Sequence, residues 1–276
     1  MSVKKESIEN NLQFLNEKEL KRIASLRLLD DDFMTKVFED VECSEVLLQI
    51  ILNRKDLKIQ KLHVQHSIKN LQGRSVRLDI IAVDSTGKIY NVEVQRDDKG
   101  AEKKRARYNS SLLDANITEP GEEFKNLPET YIIFITENDI LKRDLPIYHI
   151  ERVIQETKEL FGDEVHIIYV NSQITDETEL GKLMHDFRCT DAKDMYNPIL
   201  AKRVSYFKED KEGVTIMNKE LEKMYDEARE QGRKEITIEA IQKMIRNPKY
   251  TNEDIKEIYE ITDEEIESIR EEMLVK

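Results

Sequence analysis

One kind of chemistry is concentrated between Arg77 and Gln95, in the stretch RLDIIAVDSTGKIYNVEVQ. Asp79 is followed fourteen residues later by Glu93, and Gln95 comes two after that. Two carboxylates brought together suit a hard divalent ion such as Mg²⁺ or Mn²⁺, which takes oxygen ligands and keeps several of its waters. In phosphodiester hydrolysis such an ion activates water and neutralises the charge that grows on the phosphate. A carboxamide at Gln95 can orient a water, but it carries no charge and takes no proton. A cation must then come from elsewhere. Arg77, Lys88 and Arg107 are candidates, and Arg77 shares a strand face with Asp79 because strand side chains alternate.

A hairpin must position these groups. Ser85-Thr86-Gly87 reads as a tight reversal between strand-like runs at 76–83 and 89–95, with Gly87 supplying a positive φ. A three-residue loop places Asp84 across from Lys88 and, counting back, Asp79 across from Glu93. Glu93 and Gln95 then share that face, while Ile80, Val92 and Val94 point to the other. A loop one residue shorter would shift the register and separate the two acids. Polar residues alternating outward on an exposed hairpin would produce the same string.

The flanking elements follow from periodicity. Downstream, AEKKRARYNSSLLDA (101–115) reads as a helix with Ala101, Tyr108, Leu112 and Ala115 close to one stripe. Lys103, Lys104, Arg105 and Arg107 crowd its first half, either as a solvated face or as contacts to a phosphate backbone. Upstream, Asp30-Asp31-Asp32 suits a helix N-terminus, and a second helical stretch carries Glu45, either solvated or turned toward the acids. Residues 58–68 read as an edge strand, Tyr131 to Ile135 as a buried strand, Tyr148 to Phe161 as a helix closed by Gly162, and Val165 to Val170 as a further strand. That order describes a mixed sheet flanked by helices, a three-layer α/β unit.

The remaining metal-ligand types are scattered. His63 and His66 lie three apart on a strand and are expected to face opposite sides. His149 and His166 have no companion at metal spacing, His185 reads as no better a ligand, and Cys43 and Cys189 read as free thiols in a reducing cytoplasm. With 276 residues, 37% charged and 39% apolar, the chain can bury a sizeable core, and it contains no apolar run long enough to span a membrane. No secretory signal is read at MSVKKESIEN, so a cytoplasmic protein is expected. The net charge of −13 argues against a protein that coats itself in nucleic acid. From Glu209 onward 20 acidic and 12 basic residues give −8, leaving −5 for the first 208. A local basic surface in the first part is therefore compatible with the total. The expected division is residues 1–208 as the α/β domain and 209–276 as a helical tail for oligomerisation or partner docking. In that tail TNEDIKEIYEITDEEIESI repeats a Thr cap with a carboxylate three residues on.

Several stretches in order, LLDDDFMTKVFED, RLDIIAVDSTGKIYNVEVQR, KKRARYNSSLLDA, and LPETYIIFIT followed by LPIYHIE, resemble the PD-(D/E)XK nuclease superfamily. Within it they are most similar to the recombination-promoting nuclease group, labelled family transposase. The resemblance covers roughly residues 25–210 and implies a restriction-endonuclease-like fold and a metal-dependent DNA endonuclease. By it Asp79 is the central metal ligand, Glu93 the second, and Gln95 stands where a Lys is usual. Gln at that place is familiar in this group. Glu45 would correspond to an early acid that some members carry on their first helix. Nothing resembles an RNase H-like transposase core, so strand cleavage is the activity to expect. The alternative is an inactive nuclease fold kept as a nucleic-acid-binding or protein-interaction scaffold, which Gln95 and the acidic total favour. One site per chain would favour a homodimer for cutting both strands.

Overall fold

The computed structural model describes residues 17–69, 75–118 and 120–275. Residues 1–20 read as a polar lead-in with a first helical turn, and the first sixteen lie outside the described residues. The chain divides into two compact units, Met1–Asn218 and Lys219–Lys276.

In the first unit three helices, α1 (Glu17–Ser25), α2 (Asp31–Phe38) and α3 (Val41–Ile51), precede β1 (Ile59–Lys69), β2 (Ser75–Asp84) and β3 (Ile89–Gln95). Then come α4 (Lys103–Ile117), β4 (Thr130–Thr136), β5 (Ile147–Ile150), β6 (Val165–Asn171), α5 (Glu179–Arg188) and α6 (Pro198–Glu209). The six strands form one mixed sheet in the order β1-β2-β3-β4-β6-β5. β3, β4 and β6 run parallel, and the remaining pairs are antiparallel. A parallel neighbour needs a crossover connection, and α4 supplies it between β3 and β4.

Both faces of the sheet are covered. Ile81, Ile89, Ile132, Phe134 and Tyr169 pack with Ala106, Leu112 and Leu113 of α4. Strand alternation turns Ile80, Val92, Ile133, Ile135 and Val170, all buried, to the opposite face. There α2, α3, α5 and α6 pack on one another, with Phe33 edge-on to Phe207 and Phe38 stacked on Phe187. The result is the α/β mixed sheet with flanking helices expected from the pattern. The expected edge strand is β1.

The hairpin is pinned by Asp84, which is 1% exposed. Its Oδ1 accepts from Thr86 N, Thr86 Oγ1 and Lys88 N at 2.8, 2.7 and 3.1 Å, and its Oδ2 from the Tyr90 hydroxyl at 2.7 Å. Gly87 holds φ +87°, as the turn requires. Asp84→Ala would strand the buried Tyr90 hydroxyl and leave the turn donors of Thr86 and Lys88 without their acceptor. We expect it to cost about 2–4 kcal/mol in urea unfolding, with the denaturant slope unchanged.

Two expectations fail. The stretch Tyr148 to Phe161 is not a helix. Ile147–Ile150 forms β5 against β6, and Val153 bridges to Leu160 across a turn. Leu160 is 64% exposed and Val153 48%, so these apolar residues do not form the buried face a helix here would need. A β-branched run that finds an open sheet edge pairs with it. His63 and His66 do not face opposite sides either, since their rings lie 5.6 Å apart. Gln65 between them has φ +53°, which interrupts the alternation of β1.

The second unit is helical. Its residues take in the C-terminal part of α7 (Lys211–Ile245) and all of α8 (Asn252–Tyr259) and α9 (Asp263–Val275). The boundary between units falls inside α7, past the 208/209 division read from the sequence. Thr251 and Asp254 form a reciprocal capping box at the start of α8, and Thr262 with Glu265 repeats it before α9. Ile241, Ile255 and Ile266 make the small core. Ile258 shares a helical stripe with Ile255 in the sequence but is 58% exposed. Among the described residues no helix is long and apolar enough to cross a membrane.

Candidate active site

The two acids meet where β2 and β3 stop pairing through their backbones. The ladder runs from Val83↔Ile89 to Ile80↔Val92, and the same count puts Asp79 across from Glu93. There the carboxylates replace the ladder. Asp79 N–H donates to Glu93 Oε1 at 3.3 Å, and Val94 N–H donates to Asp79 Oδ2 at 2.9 Å. Each acid thus accepts from the backbone of the opposite strand. Asn91 Nδ2 adds donors to Glu93 Oε1 at 2.9 Å and to Ile80 O at 3.3 Å.

Asp79 is 8% exposed and Glu93 is fully buried. This excludes the exposed hairpin with outward polar residues. Burial of a charge needs compensation, and here it is incomplete. Glu93 Oε2 has no hydrogen-bond partner, and neither do Asn91 Oδ1 or both amide atoms of the buried Asn109 on α4. Arg105 Nη2 stands 3.8 Å from Glu93 Oε2, an ion pair rather than a hydrogen bond.

The electrostatics follow from that. The Asp79 carboxyl is pushed above the usual carboxylate range, chiefly by burial, then by the charges of Glu93 and Asp31. The Val94 amide and Arg105 act in the opposite direction. Glu93 is raised as well, again mainly by burial, with Asn91, Arg105 and the Asp79 amide opposing and Asp31 adding. Asp31 opens α2, and its own carboxyl is raised by the protein packed around it against the pull of Arg77. Two buried acids, both raised by burial and one of them also by its neighbour's charge, with one oxygen lacking a hydrogen-bond partner, form a hard-oxygen donor set that fits a divalent cation.

The placement of the other expected residues is mixed. Gln95 follows Glu93 on β3, and its carboxamide lies against Gly100 in the short 3₁₀ turn Asp98–Ala101; a Cβ at residue 100 would collide with its Oε1. Arg77 is exposed and acts on Asp31. Lys103, Lys104 and Arg107 are exposed on α4. Lys88 pairs with Glu129 at the turn end of the hairpin, away from the acids. Glu45 is the clearest correction. Its carboxylate takes Lys58 Nζ at 2.7 Å and Ile59 N–H at 2.9 Å, beside the start of β1, which pairs with Asp84 and not with Asp79. Its work there is to seat β1 on α3. We expect Glu45→Ala to lower stability by about 1 kcal/mol and to leave divalent-ion binding at the acid pair unchanged in titration calorimetry.

Asp31 was read only as a helix-terminus acid and Arg105 only as a solvated or phosphate-contacting cation, and the action of both on the acid pair was missed. Arg105 carried a readable signal: at 101, 105, 108 and 112 it falls on the helix stripe that the apolar residues define, an odd place for a cation. Asp31 carried none that separates it from its neighbours. Asp30 is taken by Arg96 Nη1 at 2.8 Å and the Arg27 amide at 2.7 Å. Glu137 joins Arg27 and Arg96 at 3.0 and 3.2 Å. This ring of alternating charges ties the start of α2 to the ends of β3 and β4, and the exposed Asp31 beside it is near enough for its charge to act on the pair.

No curated protein and no solved structure matches the chain. A family model described as PD-(D/E)XK nuclease family transposase matches residues 46–265. The match takes in Asp79, Glu93, Gln95 and Arg105 and begins after Asp31 and Glu45. With most of its length matched, and with a mixed sheet whose hairpin presents a buried acid pair, the chain belongs to the PD-(D/E)XK nuclease family transposase group.

Proposed function

We propose that this protein is a divalent-metal-dependent DNA endonuclease that hydrolyses phosphodiester bonds. The observation that carries the reading is the buried Asp79–Glu93 pair with Glu93 Oε2 unpartnered beneath the cationic start of α4. Asp79 and Glu93 would hold Mg²⁺ or Mn²⁺. When bound, such an ion supplies Lewis acidity toward phosphate oxygens and lowers the pKa of water.

The remaining roles belong to the chain's own side chains. Arg105 balances the two acids and faces the charge that develops on the scissile phosphate. Asp31 and Gln95 flank the pair, one as a further carboxylate and the other as a hydrogen-bonding group able to orient water. Lys103, Lys104 and Arg107, with Arg77 on β2, meet the phosphate backbone. The first turn of α4 contains no acidic residue, so Lys103, Lys104 and Arg105 sit at the positive end of the helix dipole. That placement costs stability in the free protein, and a bound phosphate anion would offset it.

Cleavage at one site per chain cuts one strand, so the proposal includes two chains acting together for a double-strand break, as an intermediate in recombination requires. The test is conversion of supercoiled plasmid to nicked circle with Mg²⁺ or Mn²⁺. A chelator and Asp79→Asn should each stop it, and a single-stranded RNA run alongside reads substrate preference. Cleavage undiminished in Asp79→Asn would remove the assignment. Metal binding without cleavage of any nucleic acid would instead support the scaffold reading.

A further inference from the structure

A second cluster of ligand-type side chains lies far along the chain, at the end of α5. His185 and Cys189 are one helical turn apart and so share a face. Cys189 Sγ is 3.4 Å from His185 Nδ1, and His185 Nδ1 is 3.5 Å from Asp186 Oδ1. All three donor atoms lie within 4.8 Å of one another.

We propose that His185, Asp186 and Cys189 form a binding site for a borderline transition-metal ion of the Zn²⁺ type, separate from the acid pair. Bonds of about 2.3 Å to sulfur and about 2.0–2.2 Å to nitrogen or oxygen, meeting at tetrahedral angles, set donor separations of roughly 3.3–3.6 Å. Two edges of the cluster already have that length. The donor set is one sulfur, one nitrogen and one oxygen, which selects Zn²⁺ or Co²⁺ over Mg²⁺. Three protein ligands leave a fourth position for water.

The supports are also in place. Asp186 is fully buried, and its two oxygens accept from Tyr196 N–H at 2.7 Å and Asn197 N–H at 2.8 Å. Each oxygen has a second lone pair, so one can bind an ion while the backbone fixes its direction. The Tyr196 ring packs 4.8 Å from the His185 ring and limits its rotation. Around Cys189 the charges of Asp186, Asp194 and Asp191 outnumber that of Lys208. Burial first, and then these acids, push its thiol up to about 11, so the free site carries S–H. On binding, the thiol proton leaves to solvent and the thiolate takes the ion, with no change of oxidation state.

Such an ion would lock the last turn of α5, whose Asp186 already holds the connection that caps α6. The site is independent of the nuclease reading, and its test needs no cleavage. Chelator-treated full-length protein is titrated with Co²⁺ and its absorption recorded. The expected result is a thiolate-to-metal charge-transfer band with tetrahedral d–d bands, displaced by Zn²⁺. The band should persist in Asp79→Ala and Cys43→Ser and be lost in Cys189→Ser and in His185→Ala. Zn²⁺ should also raise the melting temperature of wild type but not of Cys189→Ser. If Co²⁺ gives only weak octahedral bands, or the charge-transfer band survives Cys189→Ser, the proposal is overturned and the three side chains form a hydrogen-bonded cluster alone.

Discussion

Asp79→Asn is expected to abolish divalent-ion-dependent cleavage while making the metal-free protein more stable at alkaline pH. The two effects have one cause. Asp79 titrates above its usual range because burial and the Glu93 and Asp31 charges disfavour the anion. The folded chain therefore keeps a proton that the unfolded chain has given up. Stability falls as pH rises from the ordinary carboxylate range through the raised one, and each tenfold gain in proton affinity on folding is worth about 1.4 kcal/mol. Asn is neutral at every pH and removes that slope. We expect the variant's metal-free stability at pH 8 to exceed wild type by about 1–2 kcal/mol in urea unfolding. Saturating Mg²⁺ should stabilise wild type and leave the variant unchanged. Cleavage should fall at least about a hundredfold, the scale of losing one well-placed electrostatic group. A variant that unfolds more readily than wild type at pH 8 would refute the charge argument, whatever its activity.

Arg105→Ala is the second large effect. Its guanidinium lies 3.8 Å from Glu93 Oε2 and lowers the proton affinity of both acids. Removing it raises both pKa values further, so protons compete more strongly with the ion. The acidic limb of the pH–rate profile should move to higher pH, and cleavage at neutral pH should fall by roughly 10²–10³. Arg105→Lys restores charge without the planar fork and should recover most of the pH displacement but only part of the rate. Alanine at Lys103 or Lys104 should weaken DNA binding about equally across sequences and reduce the salt slope by about one, with the pH profile unmoved. A pH profile identical in wild type and Arg105→Ala would show that this cation does not serve the acids.

How much of this could be read from the chain depends on distance along it. The Ser85-Thr86-Gly87 turn specifies its own register, because loop length and Gly87 fix which residues face each other. Asp79 opposite Glu93 is therefore local information. Which upstream acid joins them is not. Glu45 and Asp31 both begin as acids on amphipathic helices, and the choice depends on how α2 crosses the strands and on Arg27, Arg96 and Glu137, which come from three separate segments. The stretch 148–161 failed for a related reason. Its apolar residues satisfy a helical period, but the free edge of β6 decides the matter, and an edge is a property of the assembled sheet. At His63 and His66 the alternation rule was sound, and Gln65 breaks it with a conformation that its residue type does not announce.

The crossed hydrogen bonds between the acids and the opposing strands have one more consequence. The amide protons of Asp79 and Val94 are bonded not to carbonyls but to the two groups that would ionise and take a cation. They are built-in gauges. Their NMR frequencies will track the ionisation of the pair, and their exchange with solvent will slow when an ion fixes both carboxylates. Neighbouring amides of the regular ladder, such as those of Ala82 and Tyr90, should stay still. Occupancy of the centre can thus be followed in solution at two single protons, without substrate and without a mutation.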